Sequence, residues 1–525
     1  MSAALDALKR KAWISDQGDG TFVNPVLHAD YSDPDVIRVG EDFYMTASSF
    51  SHIPGLPILH SKDLINWTLI NHVIPRMDLP GYDKPQHGNG VWAPALRYHA
   101  GKFWVYYGDP DVGIFMSTAV DPAGEWEPLH LVKEGKGLID TCPFWDDDGQ
   151  AYLVHAFAKS RAGIKHKLRL CKMSADGKRL LDEGQIIFDG TEHHPTMEGP
   201  KMYKRNGYYY IFAPAGGVAT GWQTILRSTS IYGPYEDKIV LHQGDTPVNG
   251  PHQGGWVELE SGESWFMHFQ DKDAYGRIVH LQPVRWVDDW PLMGVDRNGD
   301  GIGEPVLRHR KPNVGKEYPV AVPDDSDDFD GTKLGLQWQW QANPNPDWHS
   351  FDRESHLRLF AQPLPADVAT LYGAPHLLMQ KFPAESFQAE AHLDCSSLQP
   401  GEKAGLVVFG YNYAYVALRT KEDGSGFELL RAEGNATEET VIWKADLAAQ
   451  TVVLRVTVSA GASCRFEYGA EDGGGFARCG EPAFTASKGH WVGAKVGMFA
   501  ARPDDGDRQS GGYADCDWFR VTRPE

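Results

Sequence analysis

Long apolar runs are missing from this sequence. A helix needs about 18–20 consecutive apolar residues to cross a membrane, and no stretch of the 525-residue chain approaches that length. The N-terminal sequence MSAALDALKRKAWISDQ also lacks the apolar segment of a secretory signal. We therefore expect a cytoplasmic protein with no membrane partner, or a secreted one if a signal was trimmed from this chain.

Positive charge is scarce as well. The chain has 50 lysines and arginines against 71 aspartates and glutamates, which gives a net charge of −21. A field of that sign repels phosphate backbones, so a nucleic acid is not expected as a partner. Neutral glycans are not disfavoured, and the 17 Trp, 21 Tyr and 23 Phe residues offer flat faces on which sugar rings can pack.

Cysteines are few, and none of them form CxxC pairs or a metal-type spacing. This absence favours free, buried thiols over a disulfide framework or a zinc site. The six positions are Cys142, Cys171, Cys395, Cys464, Cys479 and Cys516.

Helical patterns are nearly absent apart from a short one over Ala3–Lys11, and β-strand patterns take their place. The first three hundred residues repeat a unit in which an aromatic strand follows a turn and a second apolar strand comes next. Spacings of 49 to 60 residues between such units are typical of propeller blades. Five units predict five blades, and a large β-sandwich with accidental regularity is the alternative. The aromatic strands contain Phe43, Phe103, Tyr152, Tyr208 and Trp265.

The pattern changes at residues 319–331, where PVAVPDDSDDFDG is rich in proline and aspartate. Such a segment is typical of a linker or a domain edge. Beyond it, segments such as FQAEAHLD, YAYVALRT and TVVLRVTVS alternate polar and apolar residues between turns, as sandwich strands do. The sequence thus predicts an all-β chain: a five-bladed β-propeller over residues 1–320 and a jelly-roll-like β-sandwich over residues 325–525.

Ten to thirteen residues before each aromatic strand, every unit carries a residue able to take part in chemistry. These residues are Asp33, Trp92, Asp140, Glu198 and His252. The innermost strands of a propeller line its central channel, so we expect the five side chains to converge. A single aspartate is more often a turn cap or a surface ion pair, but three carboxylates in equivalent, otherwise apolar places favour a function.

Three converging carboxylates suit the cleavage of a glycosidic bond. One carboxylic acid must protonate the leaving oxygen, and a second carboxylate must activate water or attack the anomeric carbon. A third can raise the pKa of the acid by its negative charge.

Several motifs in their order resemble glycoside hydrolase family 43, which contains β-xylosidases, α-L-arabinofuranosidases and endo-arabinanases on a five-bladed propeller. The similarity covers roughly residues 21–310 and rests on YSDPDVIRVGEDFYMTASSF, GVWAPALRY, DTCPFWDDDGQAYLV and MEGPKMYKRNGYYYIF. The segments LGLQWQWQANP and GYADCDWFRV near the C-terminus resemble the β-sandwich of the xylosidase and arabinofuranosidase branches.

The resemblance implies a role for each carboxylate. Asp33 matches the general base, Asp140 the aspartate that tunes and orients the acid, and Glu198 the general acid. Members of the family invert the anomeric centre, which requires the carboxyls of Asp33 and Glu198 to stand about 6.5–9.5 Å apart around a water molecule. Asp35 is a further acidic residue close to the base, and strand alternation predicts that it points outward.

Further residues match the sugar pocket of the family. Arg277 matches a substrate-contacting arginine, and Phe50 and Trp92 match pocket aromatics, with plain blade packing as an equal alternative for Phe50. His252 matches a histidine of the channel that binds substrate or lies beside a calcium ion. The alternative is a hydrogen-bonded inner-strand histidine, because calcium prefers oxygen ligands.

A second calcium candidate lies in VDRNGDGIGEP. Asp296, Asn298, Asp300 and Glu304 take positions one, three, five and nine of an EF-hand-like loop, but Leu307 stands where the glutamate of position twelve belongs. An ordinary polar turn is the preferred interpretation. The expected reaction requires no cofactor, and a structural Ca²⁺ remains an alternative at these two places.

The sequence therefore predicts an exo-acting, inverting glycosidase acting on oligosaccharides or polysaccharides from plant hemicellulose or pectin. The exo assignment rests on the accessory sandwich, which closes one end of the pocket in the xylosidase-like branch. Motif similarity leans toward release of terminal L-arabinofuranose, with D-xylose as the alternative sugar. A retaining glycosidase and a non-catalytic glycan-binding protein are the other hypotheses, and the oligomeric state stays open.

Overall fold

Each aromatic strand of the repeat is the second strand of a four-stranded antiparallel sheet. The structure is a computed structural model that describes residues 10–470, 475–503 and 511–524. In every sheet the four strands follow one another in chain order, so each blade is built from one continuous segment.

Five such sheets form the N-terminal half. A short strand, β1 (Thr21–Val23), precedes them. The first blade contains β2 (Asp35–Val39), β3 (Asp42–Thr46), β4 (Gly55–Ser61) and β5 (Trp67–Ile74). The second blade contains β6 (Trp92–His99), β7 (Lys102–Asp109), β8 (Gly113–Ala119) and β9 (His130–Glu134). The third contains β10 (Leu138–Trp145), β11 (Ala151–Phe157), β12 (Lys167–Met173) and β13 (Gln185–Asp189). The fourth contains β14 (Lys201–Arg205), β15 (Tyr208–Ala215), β16 (Trp222–Ser228) and β17 (Glu236–Leu241). The fifth contains β18 (His252–Glu258), β19 (Ser264–Asp271), β20 (Arg277–Val287) and β21 (Trp290–Met293).

Apolar side chains from neighbouring sheets hold the blades together. Between the second and third blades, for example, Trp104 and Tyr106 pack with Leu153 and Met173, and equivalent clusters fill the other four junctions. After the fifth blade, β22 (Arg308–Arg310) returns to pair antiparallel with β1. The predicted five-bladed β-propeller is confirmed.

The C-terminal half is a β-sandwich of two sheets, as predicted. The first sheet has the order β23-β27-β37-β29-β30-β31-β32, with β26 added beside β37. Its strands are β23 (Gln339–Trp340), β26 (Gln362–Pro363), β27 (Leu378–Lys381), β29 (Lys403–Phe409), β30 (Tyr413–Thr420), β31 (Phe427–Gly434), β32 (Glu439–Leu447) and β37 (Lys495–Arg502).

The second sheet has the order β24-β25-β38-β28-β33-β34-β35, with β36 beside β34. Its strands are β24 (His349–Ser350), β25 (Leu357–Phe360), β28 (Phe387–Asp394), β33 (Thr451–Ser459), β34 (Ser463–Gly469), β35 (Ala477–Arg478), β36 (Phe484–Thr485) and β38 (Tyr513–Thr522). From Lys11 onward, helical structure in the described residues is limited to α1 (Lys159–Ala162) and single turns at Asp273–Tyr275, Pro346–Trp348 and Leu371–Gly373.

The two domains meet at a shared apolar cluster. Tyr275 and Ile278 of the fifth blade belong to the same buried cluster as the inner faces of the sandwich. The Tyr275 hydroxyl donates to the carbonyl of Glu385 at 3.0 Å and accepts from the amide of Ala462 at 2.8 Å. Because these contacts bury polar groups in satisfied pairs, they fix the sandwich against the face of the propeller.

Other expectations have mixed outcomes. All six cysteines are buried and free, as expected. Within the described residues, no helix is both long and apolar enough to pass through a lipid bilayer. The short helix predicted over Ala3–Lys11 falls, except for its last two positions, outside the described residues.

Candidate active site

One residue per blade, at the start of the innermost strand, adopts the left-handed backbone conformation. The φ angles are 53° at Asp33, 37° at Ala93, 57° at Asp140, 59° at Gly199 and 47° at Gln253. The first strand of the second, third and fifth blades also shows a register shift at this position. Left-handed non-glycine residues are uncommon, and such strain concentrates at functional sites, where a bulge re-aims side chains. The fivefold repeat thus brings one strained position from each blade to the same end of the channel.

Asp33 is held by several donors. Its Oδ2 accepts hydrogen bonds from the hydroxyls of Ser32 at 2.7 Å and Ser48 at 2.6 Å. Arg277 Nη1 lies 3.3 Å from both carboxylate oxygens and donates to the Ser32 hydroxyl at 2.7 Å. The Ser48 hydroxyl accepts in turn from the amide of Ala93 at 2.8 Å. These contacts fix the orientation of the Asp33 carboxylate.

Asp140 has the opposite environment. It is buried, and one hydrogen bond from the amide of Gly199, at 2.8 Å, reaches its Oδ2. Burial, followed by the negative charges of Glu198 and Asp33, raises the pKa of Asp140 to about 8. The three carboxyl groups therefore interact electrostatically, and Asp140 holds its proton more tightly than an ordinary aspartate does.

Glu198 is the most accessible of the three carboxylates, with 26% of its side chain exposed. His252 Nε2 lies 2.9 Å from Glu198 Oε1 and forms a hydrogen bond that sets the orientation of the carboxyl. The His252 ring is fully buried and packs edge-on against Phe269, with ring centroids 5.6 Å apart. The structure thus gives His252 a contact with Glu198, whereas the sequence predicted a contact with substrate.

The three carboxylates line one cavity of about 90 Å³. Arg277 lies in its wall, as predicted, and Phe50 and Trp92 form an aromatic corner with ring centroids 6.4 Å apart. Of the seven predicted site residues in the propeller, six therefore contribute to one cavity and His252 supports it through Glu198. A charged, partly enclosed cavity with aromatic walls is suited to a small polar ligand with apolar faces, such as a sugar ring.

Trp491 completes the cavity from the sandwich domain. Its ring lies edge-on to Trp92 at 6.1 Å and 5.6 Å from the guanidinium of Arg277. Two residues later, the amide of Gly493 donates to Asp30 at 2.9 Å, and Asp30 also accepts from the amide of Arg277. The Asp30 carboxylate therefore joins the backbone of this loop to the backbone of Arg277 in the cavity wall.

Sequence reasoning missed Trp491 and Gln253, which both line the cavity. Trp491 lies in a sandwich loop, KGHWVGAK, outside any repeat, so no local pattern could place it next to residues of the propeller. Gln253 directly follows His252 in a predicted site motif, and that neighbourhood was the available signal.

Asp35 was expected to point outward, and this is wrong in one respect. The side chain is not in the cavity wall, but it is fully buried between the first two blades. Its Oδ2 accepts from Arg97 Nη1 at 2.7 Å and from the amide of Leu96 at 2.8 Å. Strand alternation predicted the side of the sheet correctly but could not predict the neighbouring blade that covers it.

The two calcium candidates differ from a metal site in their donor sets. Asp296 accepts from the amides of Gly299 and Gly301, and Asp300 accepts from the amide of Ile302, as in a polar turn. Among the residues that the structure describes, no group of three or more His, Cys, Asp or Glu side chains is arranged to hold a metal ion, including around His252. The carboxylates of the turn bind its own amides, and a structural calcium ion stays a prediction at both places.

The raised pKa of Asp140 predicts a pH-dependent stability. The ordinary pKa of 3.8 applies to the unfolded chain, whereas the folded protein keeps the proton to about pH 8. The folded state binds more protons than the unfolded state between these values, so this group makes stability fall as pH rises from about 4 to 8. We expect the melting temperature of Asp140→Asn minus that of the wild type to grow from pH 4 to pH 8 in scanning calorimetry. A constant difference would contradict the raised pKa.

The comparisons with known proteins agree with this geometry. The profile of glycosyl hydrolases family 43 matches residues 22–291, and a profile described as a β-xylosidase C-terminal concanavalin A-like domain matches residues 326–522. A proposed β-xylosidase of Xylanibacter ruminicola is 44% identical over 93% of this chain and 87% of its own length. A β-xylosidase of Formosa agariphila is 34% identical over 96% of this chain and 90% of its own length. A non-reducing end α-L-arabinofuranosidase of Bacteroides ovatus is 31% identical over 81% of this chain and 78% of its own length.

The fold is similar to that of solved structures over both domains. The crystal structure of a family 43 protein from Bacillus licheniformis superposes with a TM-score of 0.82 at 28% identity, covering 96% of this chain and all of that one. Both family profiles, the relatives and the carboxylate-lined cavity agree: the chain belongs to glycoside hydrolase family 43 and is a glycosidase built from a five-bladed β-propeller and a C-terminal β-sandwich.

Proposed function

We propose that this glycosidase is an exo-acting, inverting β-D-xylosidase that removes the terminal xylose from short glycans. The observation that carries this proposal is the single small cavity that holds Asp33, Asp140 and Glu198 and is bounded at its rim by Trp491. A cavity with a rim from a second domain suits one terminal sugar better than the middle of a polymer. The sequence motifs leaned toward L-arabinofuranose, but the names of the more similar relatives favour xylose.

Asp33 acts as the general base in this proposal. The serine hydroxyls and Arg277 hold its carboxylate in the cavity wall, where it takes a proton from the attacking water. The water then attacks the anomeric carbon from the face opposite the leaving group, which inverts the configuration in one step.

Glu198 acts as the general acid and gives its proton to the glycosidic oxygen. Its partial exposure lets the leaving group depart to solvent, and the hydrogen bond from His252 holds the carboxyl in one orientation. Asp140 lies close enough to Glu198 for the two carboxyl groups to interact electrostatically, and its hydrogen bond from the amide of Gly199 fixes the backbone next to the acid. His252 is thus a positioning residue in this proposal.

An α-L-arabinofuranosidase is the second candidate. The relative from Bacteroides ovatus bears that activity in its name. The two terminal pentoses present similar hydroxyls to one small cavity, so the same carboxylates serve either sugar.

A panel of aryl pentosides tests the proposed function. Wild-type protein is expected to hydrolyse 4-nitrophenyl β-D-xylopyranoside with a higher kcat/KM than 4-nitrophenyl α-L-arabinofuranoside. Glu198→Ala, purified in parallel, is expected to have a much lower kcat/KM than the wild type on both substrates. Equal or absent turnover in the two proteins would favour a non-catalytic glycan-binding protein, and a preference for the arabinofuranoside would favour the second candidate.

Trp491→Ala is predicted to weaken binding of the terminal sugar. The ring bounds the cavity and contacts Trp92 and Arg277, so its removal opens the site to water. We expect KM for a xyloside to rise about 5- to 100-fold, in line with about 1–3 kcal/mol for an aromatic contact. Val492→Ala, in the same loop, is the matched control. An unchanged KM in Trp491→Ala would show that the sandwich domain does not contribute to the site.

A further inference from the structure

Gln253 is the least explained member of the fivefold set of strained residues. Two of its equivalents, Asp33 and Asp140, are carboxylates of the cavity, and Ala93 and Gly199 supply amides that orient Ser48 and Asp140. Gln253 has the same left-handed backbone, with φ of 47°, at the register shift of the fifth blade. Glutamine gains nothing by itself from that conformation, so the strain points to a role for its side chain.

The side chain is tightly confined. Gln253 is only 2% exposed, yet it contributes to the wall of the catalytic cavity. A Cβ atom added to Gly199 would lie 2.7 Å from Cδ and 2.8 Å from Cγ of Gln253, so the glutamine occupies the space that glycine leaves open. Gly199 directly follows Glu198, and its amide binds Asp140. The carboxamide of Gln253 is thus packed against the backbone that carries the proposed acid.

The hydrogen bonding of the Gln253 carboxamide is incomplete within the described residues. Nε2 of Gln253 is buried and receives no acceptor among the described residues. Other buried glutamines of the propeller behave differently, since Nε2 of Gln223 donates to the carbonyl of Thr224 at 3.0 Å and that of Gln270 to the carbonyl of Pro247 at 2.9 Å. A buried donor without an acceptor destabilises a fold, and such groups call for an explanation.

We propose that the carboxamide of Gln253 turns its buried, unpartnered Nε2 toward the cavity when a pentose binds, donates a hydrogen bond to one sugar hydroxyl and thereby helps to select the sugar. This inference rests on the proposed function, because it takes a pentose as the ligand of the cavity. The bound sugar supplies the acceptor that the protein lacks. A site that offers a fixed donor rejects analogues without the matching hydroxyl, since the donor then stays buried and unpaired.

Gln253→Met separates a ligand contact from a structural role. Methionine has a similar length and no donor, so the free protein loses no hydrogen bond, and the melting temperature is expected to stay within about 2 °C of the wild type or to rise. For the parent xyloside we expect kcat/KM to fall about 10- to 100-fold. Gln223→Met is the matched control, because it removes a satisfied donor away from the cavity. It is expected to lower the melting temperature and to leave kcat/KM of the folded enzyme unchanged.

A series of 2-, 3- and 4-deoxy aryl xylosides then identifies the contact. On the one analogue that lacks the contacted hydroxyl, kcat/KM of the wild type and of Gln253→Met is expected to differ by less than about two-fold. On the other two analogues the full difference in kcat/KM is expected to remain. The proposal is overturned if Gln253→Met leaves kcat/KM for the parent xyloside unchanged, or if it lowers kcat/KM for all three analogues by the same factor as for the parent. It is also overturned if its melting temperature falls as far as that of Gln223→Met.

Failure of the proposed function gives a different result. Wild-type protein would then turn over none of the pentosides, while calorimetric titration with D-xylose still compares the two proteins. A ten-fold or greater loss of xylose affinity in Gln253→Met would support the hydrogen bond without catalysis, and equal affinities would overturn it.

Discussion

Glu198→Gln is expected to lower kcat/KM for xylobiose by about 10²- to 10⁴-fold, the usual contribution of a general acid. Glutamine keeps the shape of the side chain and can still contact His252, which lies 2.9 Å from Oε1 in the wild type. It has no proton to give to the glycosidic oxygen. The sugar alcohol of xylobiose is a poor leaving group without protonation, so the loss should appear in kcat as well as in kcat/KM.

The leaving group supplies the control for this prediction. The dinitrophenolate group of a 2,4-dinitrophenyl xyloside departs without protonation. Glu198→Gln should therefore lose much less activity on this substrate than on xylobiose. Steady-state rates of both proteins on the two substrates measure the difference. An equal loss on both substrates would remove Glu198 from the role of the acid.

Asp33→Asn is expected to lower kcat by about 10²- to 10⁴-fold on every substrate, whatever its leaving group. The amide cannot accept a proton from the attacking water, and in a one-step displacement every substrate requires that proton transfer. The change also removes the charge that faces Arg277, whose guanidinium side chain is only 9% exposed. An unpaired buried cation lowers stability, so a reduced melting temperature is expected together with the loss of activity.

Asp35→Asn separates these two effects. Asp35 lies two residues further along the same blade, is fully buried and binds Arg97 at 2.7 Å, but it does not line the cavity. We expect Asp35→Asn to have a reduced melting temperature, as Asp33→Asn does. The kcat of its folded fraction should equal that of the wild type. If Asp35→Asn lost as much kcat as Asp33→Asn, the defect of the latter would follow from local unfolding and not from loss of a base.

The repeat made most of the site predictable. Asp33, Asp140 and Glu198 could be placed together because each precedes the aromatic strand of its own blade by a similar distance, and propeller symmetry converts equal positions in sequence into one end of the channel. The left-handed backbone at Asp33 and Asp140 gives that correspondence a structural basis. Arg277 lies beside Asp33 at the first residue of β20, where the family motif placed it.

Residues outside the repeat were not predictable in the same way. Trp491 reaches the cavity from a sandwich loop that Asp30 anchors, and nothing in the sequence links two segments more than 450 residues apart. Asp35 obeys the alternation of its strand, but the adjacent blade decides whether its side chain meets solvent or Arg97. The role of Gln253 depends on the missing Cβ of Gly199, a packing relation between two blades that a single sequence does not display.

The anomer released first tests the central claim most directly. If Asp33 activates water on one face of the sugar while Glu198 protonates the leaving oxygen on the other, hydrolysis of an aryl β-D-xyloside must yield α-D-xylose first. Proton NMR spectra recorded before mutarotation distinguish the two anomers. Early accumulation of the α anomer is the predicted result, and early accumulation of β-D-xylose would contradict a mechanism in which a water molecule occupies the gap between Asp33 and Glu198.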